Sequence, residues 1–235
     1  MIEKEPIGII CGSSLLRERI KGKKASFGKK EKVKTPFGEV ELLKKGNAFL
    51  IQRHSDNTPP HMINHKANIA ALKEKGVKEI IGICSTGSLK KEITPPSLVI
   101  PDDYINWGKI HTFFDNERKH ITPRLSERVR KRLLKACKKT NLKIHKKGVY
   151  FQTRGPRLET KAEIRILKDY AHVVGMTMAS EATLAKEMGI HYAGICSVDN
   201  LAHGITEKPL TEEEIGKSIE KNGKEMKKLL EELIK

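Results

Sequence analysis

Three short segments join small, hydroxylated or basic residues to a preceding strand-like apolar run, and each could hold an anion. Cys11-Gly12-Ser13-Ser14 follows the first such run. A glycine-containing turn after a strand exposes backbone N–H groups and hydroxyls, which suits a phosphate. It lacks both the GxGxxG spacing and the Walker lysine, so neither a dinucleotide nor ATP is indicated, and taken alone it also reads as an ordinary tight turn. Arg53-His54 closes a second run. The guanidinium offers a fork that matches phosphate oxygens in pairs, and the histidine can donate another hydrogen bond; such a dipeptide is also common on surfaces. Cys84-Ser85-Thr86-Gly87-Ser88 closes a third. The signal lies in the convergence, because one fold can bring three strand ends together.

The elements that must position these segments alternate along the chain. The expected strands are Ile7–Cys11, Ala48–Gln52, Glu79–Cys84, Leu98–Pro101, Gly148–Gln152, His172–Gly175 and Tyr192–Ser197. Several are nearly continuous in apolar residues, as strands buried on both faces should be. Helices are expected at His61–Lys75, Leu125–Lys139, Thr160–Tyr170, Ser180–Met188 and Thr211–Ile234. The last opens on Thr211 with Glu214 three residues on, a capping-box pattern, and carries an apolar stripe of Ile215, Ile219, Met226, Leu229, Leu230 and Leu233. Alternating strands and helices predict a single α/β domain over 1–235 with a mixed central β-sheet flanked by helices. Two excursions interrupt the pattern, Pro101–Arg124 and Leu201–Pro209, and loops at the carboxyl ends of such strands are where ligands bind.

Composition narrows the function classes. The chain has 235 residues and a formal charge of +17, with 32% charged, 37% hydrophobic and 5% aromatic residues. A chain this long buries roughly three quarters of the surface it exposes when unfolded and needs no staple. The positive excess raises the possibility of a nucleic-acid partner, but it is spread as KK, KE and EK pairs with a single Trp107. A basic stripe interleaved with stacking aromatics would be the stronger sign, so a solvated lysine-rich surface is the simpler reading. The N-terminus MIEKEPIGII has no basic region before a hydrophobic stretch, and no apolar run reaches about 18 residues. A cytoplasmic protein with no membrane partner is expected. Cys11, Cys84, Cys137 and Cys196 form no CxxC, which fits a reducing compartment and argues against zinc.

Seven ordered blocks make the reading specific: IGIICGSSL at 7–15, QRH at 52–54, PPHMINHKANIAAL at 59–72, CSTGSL at 84–89, TRGPRLETKAE at 153–163, GMTMASEATLAKEMGI at 175–190 and the stretch through SVDN at 197–200. With these the chain resembles the trimeric class of purine nucleoside phosphorylases, which includes the 5′-methylthioadenosine phosphorylases. The resemblance implies reversible phosphorolysis: phosphate attacks C1′ of a purine nucleoside and releases the free base and a ribose 1-phosphate. It implies no cofactor, inorganic phosphate being a co-substrate, and no metal. Because the transition state resembles an oxocarbenium ion, the protein's task is to hold phosphate beneath the sugar and to stabilise charge on the departing base.

The resemblance also implies the site. Phosphate would be held by Ser13, Arg53, His54, Cys84, Ser85 and Thr177. Leu158, Glu159, Met176, Asn200, Leu201, Ala202 and Glu212 would bind the nucleoside, joined by His120 from a neighbouring subunit; the catalytic roles fall to Asn200, Glu159 and His54. Glu159 can accept from N1–H of a 6-oxopurine, which adenine lacks, and Asn200 can donate to N7. The methylthioadenosine enzymes carry Asp at the place of Asn200 and another two residues on, where this chain has Ala202, so 6-oxopurines are favoured and methylthioadenosine is the alternative. A one-residue slip would put Asp199 at the N7 site instead. At the sugar's far end, Glu212 suits a 5′-hydroxyl, leaving inosine, guanosine and 5′-methylthioinosine as candidates. The implied assembly is a trimer or a dimer of trimers. Two rivals predict different behaviour: a nucleic-acid-binding protein would show steep salt-dependent binding without turnover, and a nucleosidase would use water, against which Arg53 and Thr177 argue.

Overall fold

The computed structural model describes residues 5–12, 28–207 and 211–235. These form ten strands and five helices in one mixed sheet covered on both faces. The strands are β1 Ile7–Cys11, β2 Lys29–Thr35, β3 Gly38–Lys45, β4 Ala48–Gln52, β5 Glu79–Ser88, β6 Ser97–Val99, β7 Asp103–Asn106, β8 Val149–Gln152, β9 Val173–Gly175 and β10 His191–Leu201. The helices are α1 His65–Glu74, α2 Glu127–Lys139, α3 Lys161–Tyr170, α4 Met178–Glu187 and α5 Glu212–Leu233. The main path of the sheet runs β2-β3-β4-β1-β5-β9-β8-β7, and β10 pairs with β5 and β6.

The centre is parallel: β1 lies beside β4 and β5, and β10 lies beside β5. Side chains alternate between faces along a strand, so each central strand feeds two cores. Ile10, Ile80 and Cys84 pack toward α1 and α4, with Ile69, Leu72, Met178 and Leu184. Ile7, Ile9, Ile81 and Ile83 pack the other way, toward Val129 and Leu133 of α2 and Met226, Leu229 and Leu230 of α5. The continuous apolar runs in the sequence are therefore two half-cores read through one strand.

Several expected boundaries move, each for a local reason. The first expected helix, His61–Lys75, begins only at His65, where the Asn64 side chain caps by accepting from Ala67 N at 3.0 Å; Pro60–Met62 is a separate 3-10 turn. The expected strands ending at Cys84 and Ser197 run on to Ser88 and Leu201, because they keep pairing with one another. The third anion segment is thus strand, not turn. The hairpin β2–β3 has no counterpart among the expected strands: its Lys and Glu side chains face water and pair across the strands, Lys30 with Glu41 at 2.9 Å and Lys32 with Glu39 at 2.8 Å, while only alternate residues such as Val33, Val40 and Leu42 are buried. Within the excursion 101–124 the structure finds β7, paired parallel with β8. At α5 half of the capping box forms: Thr211 Oγ1 accepts from Glu214 N at 3.3 Å, but the Glu214 carboxylate takes the Thr211 hydroxyl at 3.1 Å. Among the described residues no helix is long and apolar enough to cross a membrane.

Candidate active site

A gap in the sheet makes the site. Along one edge of β5, β1 pairs with Glu79 to Ile83, and β9 pairs with Gly87 and Ser88 in the opposite direction. Between them the edge of Cys84-Ser85-Thr86 has no strand beside it among the described residues. Gly12 N donates to Ile83 O at 3.0 Å, so Ile83 faces β1 and, two residues on, the Ser85 amide faces the same way. A cleft of about 300 Å³ opens there, walled by the carboxyl ends of β1, β4, β5 and β10. This is the place where an α/β sheet with diverging neighbours receives a ligand.

One end of the cleft is built from charges that the core already holds. Arg53 is buried at 4% exposure. Its Nε and Nη2 donate to the two oxygens of Glu181 at 2.6 and 3.0 Å, its Nη1 to Ile83 O at 2.8 Å, and its Nη2 also to Ile10 O at 3.3 Å. The fork expected to grip an anion is therefore spent on Glu181, and one Nη1 hydrogen is left without a partner among the described residues. That nitrogen lies beside Gly12, where a Cβ would sit 2.8 Å from it, so only glycine leaves it open. Burial opposes the charge, but Glu181 more than offsets it and holds the Arg53 guanidinium protonated above its ordinary range.

His54 Nδ1 lies 2.8 Å from Thr58 O. A carbonyl only accepts, so this nitrogen carries the proton and a neutral ring presents a lone pair at Nε2. Burial, then the Arg53 charge, pushes His54 below the ordinary histidine value. Its expected role as donor becomes that of an acceptor. Thr177 is the N-cap of α4. The first N–H groups of this helix are already satisfied: Tyr150 Oη accepts from Thr177 N and Met178 N at 3.1 and 3.3 Å, and Gln152 Oε1 from Ala179 N and Ser180 N at 2.7 and 3.2 Å. The helix lends its field and the Thr177 hydroxyl rather than free amides.

The other end of the cleft joins the loop before α3 to the bulged end of β10. Leu158 and Glu159 precede α3, whose capping box pairs Thr160 with Glu163. Arg157 adds two hydrogen bonds to that same glutamate at 2.8 and 2.7 Å, and with the Thr160 amide it pulls the Glu163 carboxyl down to about 2. Thr153 Oγ1 donates to Glu159 Oε1 at 2.6 Å, leaving the second oxygen for a ligand. Opposite lies Asn200, placed by a bulge: pairing jumps from Val198 with Thr86 to Asn200 with Gly87, so Asp199 is the extra residue. Asn200 therefore lines the cleft with Glu159. Asp199 is buried at 1%, hydrogen-bonded to Ser85, Ser197 and Asn222; it does not line this cleft but an adjoining cavity of about 350 Å³ beside α5.

Of the residues expected in the site, Arg53, His54, Ser85, Leu158, Glu159, Met176, Thr177, Asn200 and Ala202 share the one cleft, and Leu201 lines the adjoining cavity with Asn200 and Ala202. Cys84 does not join them. Its side chain points into the core, where burial pushes the thiol up to about 11, and it only supports Arg53 and Thr177 through contacts of 3.8 and 3.7 Å. The Ser85 hydroxyl is committed to Asp199, so what it offers the cleft is its amide. His120 is an exposed loop residue outside the cleft of its own chain. Ser13 lies outside the described residues, as does the Glu212 side chain. Missed at the level of sequence were Glu181, Tyr192 and the capping pair Tyr150 and Gln152. One signal for Glu181 was present: a carboxylate in the small, apolar stretch MASEATLA needs a buried cation. Among the described residues no cluster suited to a metal occurs.

The chain belongs to the Phosphorylase superfamily, whose profile matches residues 6–235. More particularly, it is similar to a protein of Archaeoglobus fulgidus named probable 6-oxopurine nucleoside phosphorylase, 42% identical over 236 residues that cover 97% of this chain and 96% of the relative. A protein of Methanocaldococcus jannaschii named probable S-methyl-5′-thioinosine phosphorylase is 37% identical over 237 residues, covering 97% and 91%. In fold the chain is similar to methylthioadenosine phosphorylase from Schistosoma mansoni, solved with adenine, at a TM-score of 0.83 and 24% identity, covering 98% of this chain and 91% of that one.

Proposed function

We propose that the protein carries out reversible phosphorolysis of 6-oxopurine nucleosides (inosine, guanosine or S-methyl-5′-thioinosine), releasing the free base and a ribose or 5-methylthioribose 1-phosphate in purine salvage. The observation that carries this reading is the pairing within one cleft of an anion end, Arg53, His54 and Thr177, with a purine end, Glu159 and Asn200. The names of the two curated relatives support it.

Phosphate sits at the open edge of β5, taking the free Nη1 hydrogen of Arg53, the Thr177 hydroxyl and the Ser85 amide. His54 Nε2 accepts from a phosphate hydroxyl, which leaves more electron density on the attacking oxygen. As that oxygen bonds to C1′, the C1′–N9 bond breaks and its electron pair passes to the purine. Asn200 donates to N7 as charge grows there, and the free oxygen of Glu159 accepts N1–H, which a 6-aminopurine does not offer. Met176 packs against the ribose and Leu158 against the base. Leu201 and Ala202 continue the wall toward the sugar's 5′ end, where Glu212 begins α5. The reaction needs no covalent nucleophile, metal or organic cofactor. The proposal extends to a cytoplasmic homotrimer or dimer of trimers, in which His120 reaches the sugar pocket of the adjoining subunit.

A panel of inosine, guanosine, adenosine, methylthioadenosine and methylthioinosine, each with and without phosphate, tests this. Phosphate-dependent release of hypoxanthine or guanine, faster than of adenine, is expected. Preference for methylthioadenosine would move the reading to that substrate, and release of no base at ample phosphate would remove it.

A further inference from the structure

Glu181 has no place in the reaction just proposed, yet it is fully buried at 0% exposure. It does not line the cleft, so it touches no ligand. Both its oxygens are occupied by Arg53, and Oε2 also accepts from Tyr192 Oη at 2.7 Å. Space for this arrangement is built into the central strand: a Cβ on Gly82 would lie 1.9 Å from Tyr192 Oη and 3.1 Å from Glu181 Oε2. Four elements thus hold one guanidinium, with β1 supplying the carbonyl of Ile10, β10 supplying Tyr192, α4 supplying Glu181 and β5 supplying both the carbonyl of Ile83 and the gap at Gly82.

Removing two charges from water costs more than a well-packed apolar pair would, so such a pair is weak evidence of a role in stability. Its geometric effect is definite. Arg53 has five hydrogens to donate, and its carboxylate and carbonyl partners leave one Nη1 hydrogen without a partner among the described residues, on the nitrogen that lies beside Gly12 where both residues line the cleft. Arg53 and Glu181 also cancel in net charge, so anion selection at this end rests on the direction of single hydrogen bonds rather than on a pool of positive charge.

We infer that Glu181, braced by Tyr192, is the positioning residue that turns Arg53 into a one-hydrogen phosphate probe and so sets the affinity for phosphate. This rests on the phosphorolysis reading above. Glu181 acts through Arg53, and Tyr192 acts through Glu181, so their effects are ranked: Glu181→Gln above Tyr192→Phe, and both on phosphate before nucleoside.

The test measures KM for phosphate and for inosine separately, with phosphate binding to the nucleoside-free protein followed by calorimetry. Glu181→Gln is expected to raise the phosphate KM by about tenfold or more, the worth of one misdirected hydrogen bond to a charged group, with the inosine KM moved far less. Tyr192→Phe, which keeps the ion pair and so keeps the fold if Glu181→Gln does not, is expected to raise it about threefold. Arg130→Met controls for loss of core integrity, since Arg130 is also buried but fastens Ile100, Pro101 and Lys146 carbonyls on the far side of the sheet; its phosphate KM should stay unchanged. Equal rises in both KM values, or a phosphate KM within about twofold of wild type in the folded variants, would overturn the inference. Were the unaltered protein to release no base with phosphate, the phosphorolysis reading would fail first, and calorimetry with inorganic phosphate would still judge the role of Glu181.

Discussion

The two ends of the cleft are made differently. At the anion end the active groups sit on strand ends and a helix start, and their conformations are set by buried partners: Arg53 by Glu181 and two backbone carbonyls, and the start of α4 by Tyr150 and Gln152. At the purine end Leu158 is 55% exposed, and Glu159 rests on one hydroxyl from Thr153. A phosphate is the same whichever nucleoside arrives, so its receptor can be rigid and deep. The base varies, and residues on a loop can change without disturbing a core. Changes at the anion end should therefore damage stability and activity together, and changes at the loop residues Leu158 and Glu159 should alter nucleoside recognition with little loss of stability.

The largest effect is expected where the ion pair is cut. Arg53→Met leaves Glu181 as an unpaired buried charge, at a cost of about 3–5 kcal/mol, and removes the phosphate probe with it. Combining it with Glu181→Leu should restore much of the stability and none of the turnover, by thermal melting set beside phosphorolysis rates. Next in size, Glu159→Gln should lower the preference for inosine over adenosine by about a hundredfold, since a site built to accept a hydrogen bond discriminates strongly. Its melting temperature should barely move, and an unchanged preference would refute the assigned role.

Smaller still is a pH effect behind the anion end. His65 lies beneath the Arg53–Glu181 pair with Nδ1 4.0 Å from Glu181, and burial, followed by the Arg53 and His111 charges, pushes its pKa from 6.5 to about 3. The unfolded chain binds this proton first on acidification, so the stability His65 contributes is full above pH 6.5 and is lost as pH falls toward 3. Even one unit of that shift is ~1.4 kcal/mol, or about 3–6 °C in melting temperature for a chain of this length. His65→Phe should flatten the acid side of the melting profile, and a slope unchanged by it would reject this account. The smallest effect belongs to Leu158→Ala, expected to change stability by less than about 0.5 kcal/mol while raising the nucleoside KM a fewfold.

Much of this contrast was legible in the residues. The apolar runs of β1, β4 and β5, together with Arg53-His54, placed the anion end because strands buried on both faces have an unmistakable composition. The GPRLET segment and Asn200 placed the purine end through resemblance. The hairpin β2–β3 was not legible, since its lysines and glutamates mimic a solvated loop and only every second residue is apolar. Glu181 was not legible either: in sequence it stands 128 residues from Arg53, and nothing local says which cation it meets. Cys84 enters the phosphate site only through the resemblance, and alternation along β5 turns its side chain into the core.

Composition and pattern by themselves determined an α/β sheet with strand ends able to hold an anion, because burial and hydrogen-bonding capacity are properties of residue types; the carboxylate proposed for the base entered only through the resemblance. Only the tertiary structure decided which hydrogens of Arg53 the core takes up and that Asn200 rather than Asp199 lines the cleft. Each depends on a partner distant in sequence: Glu181 for the first, and for the second the β5 register that makes Asp199 the bulged residue. A side chain's direction is fixed by what packs against it, and that is settled only when the chain has closed on itself.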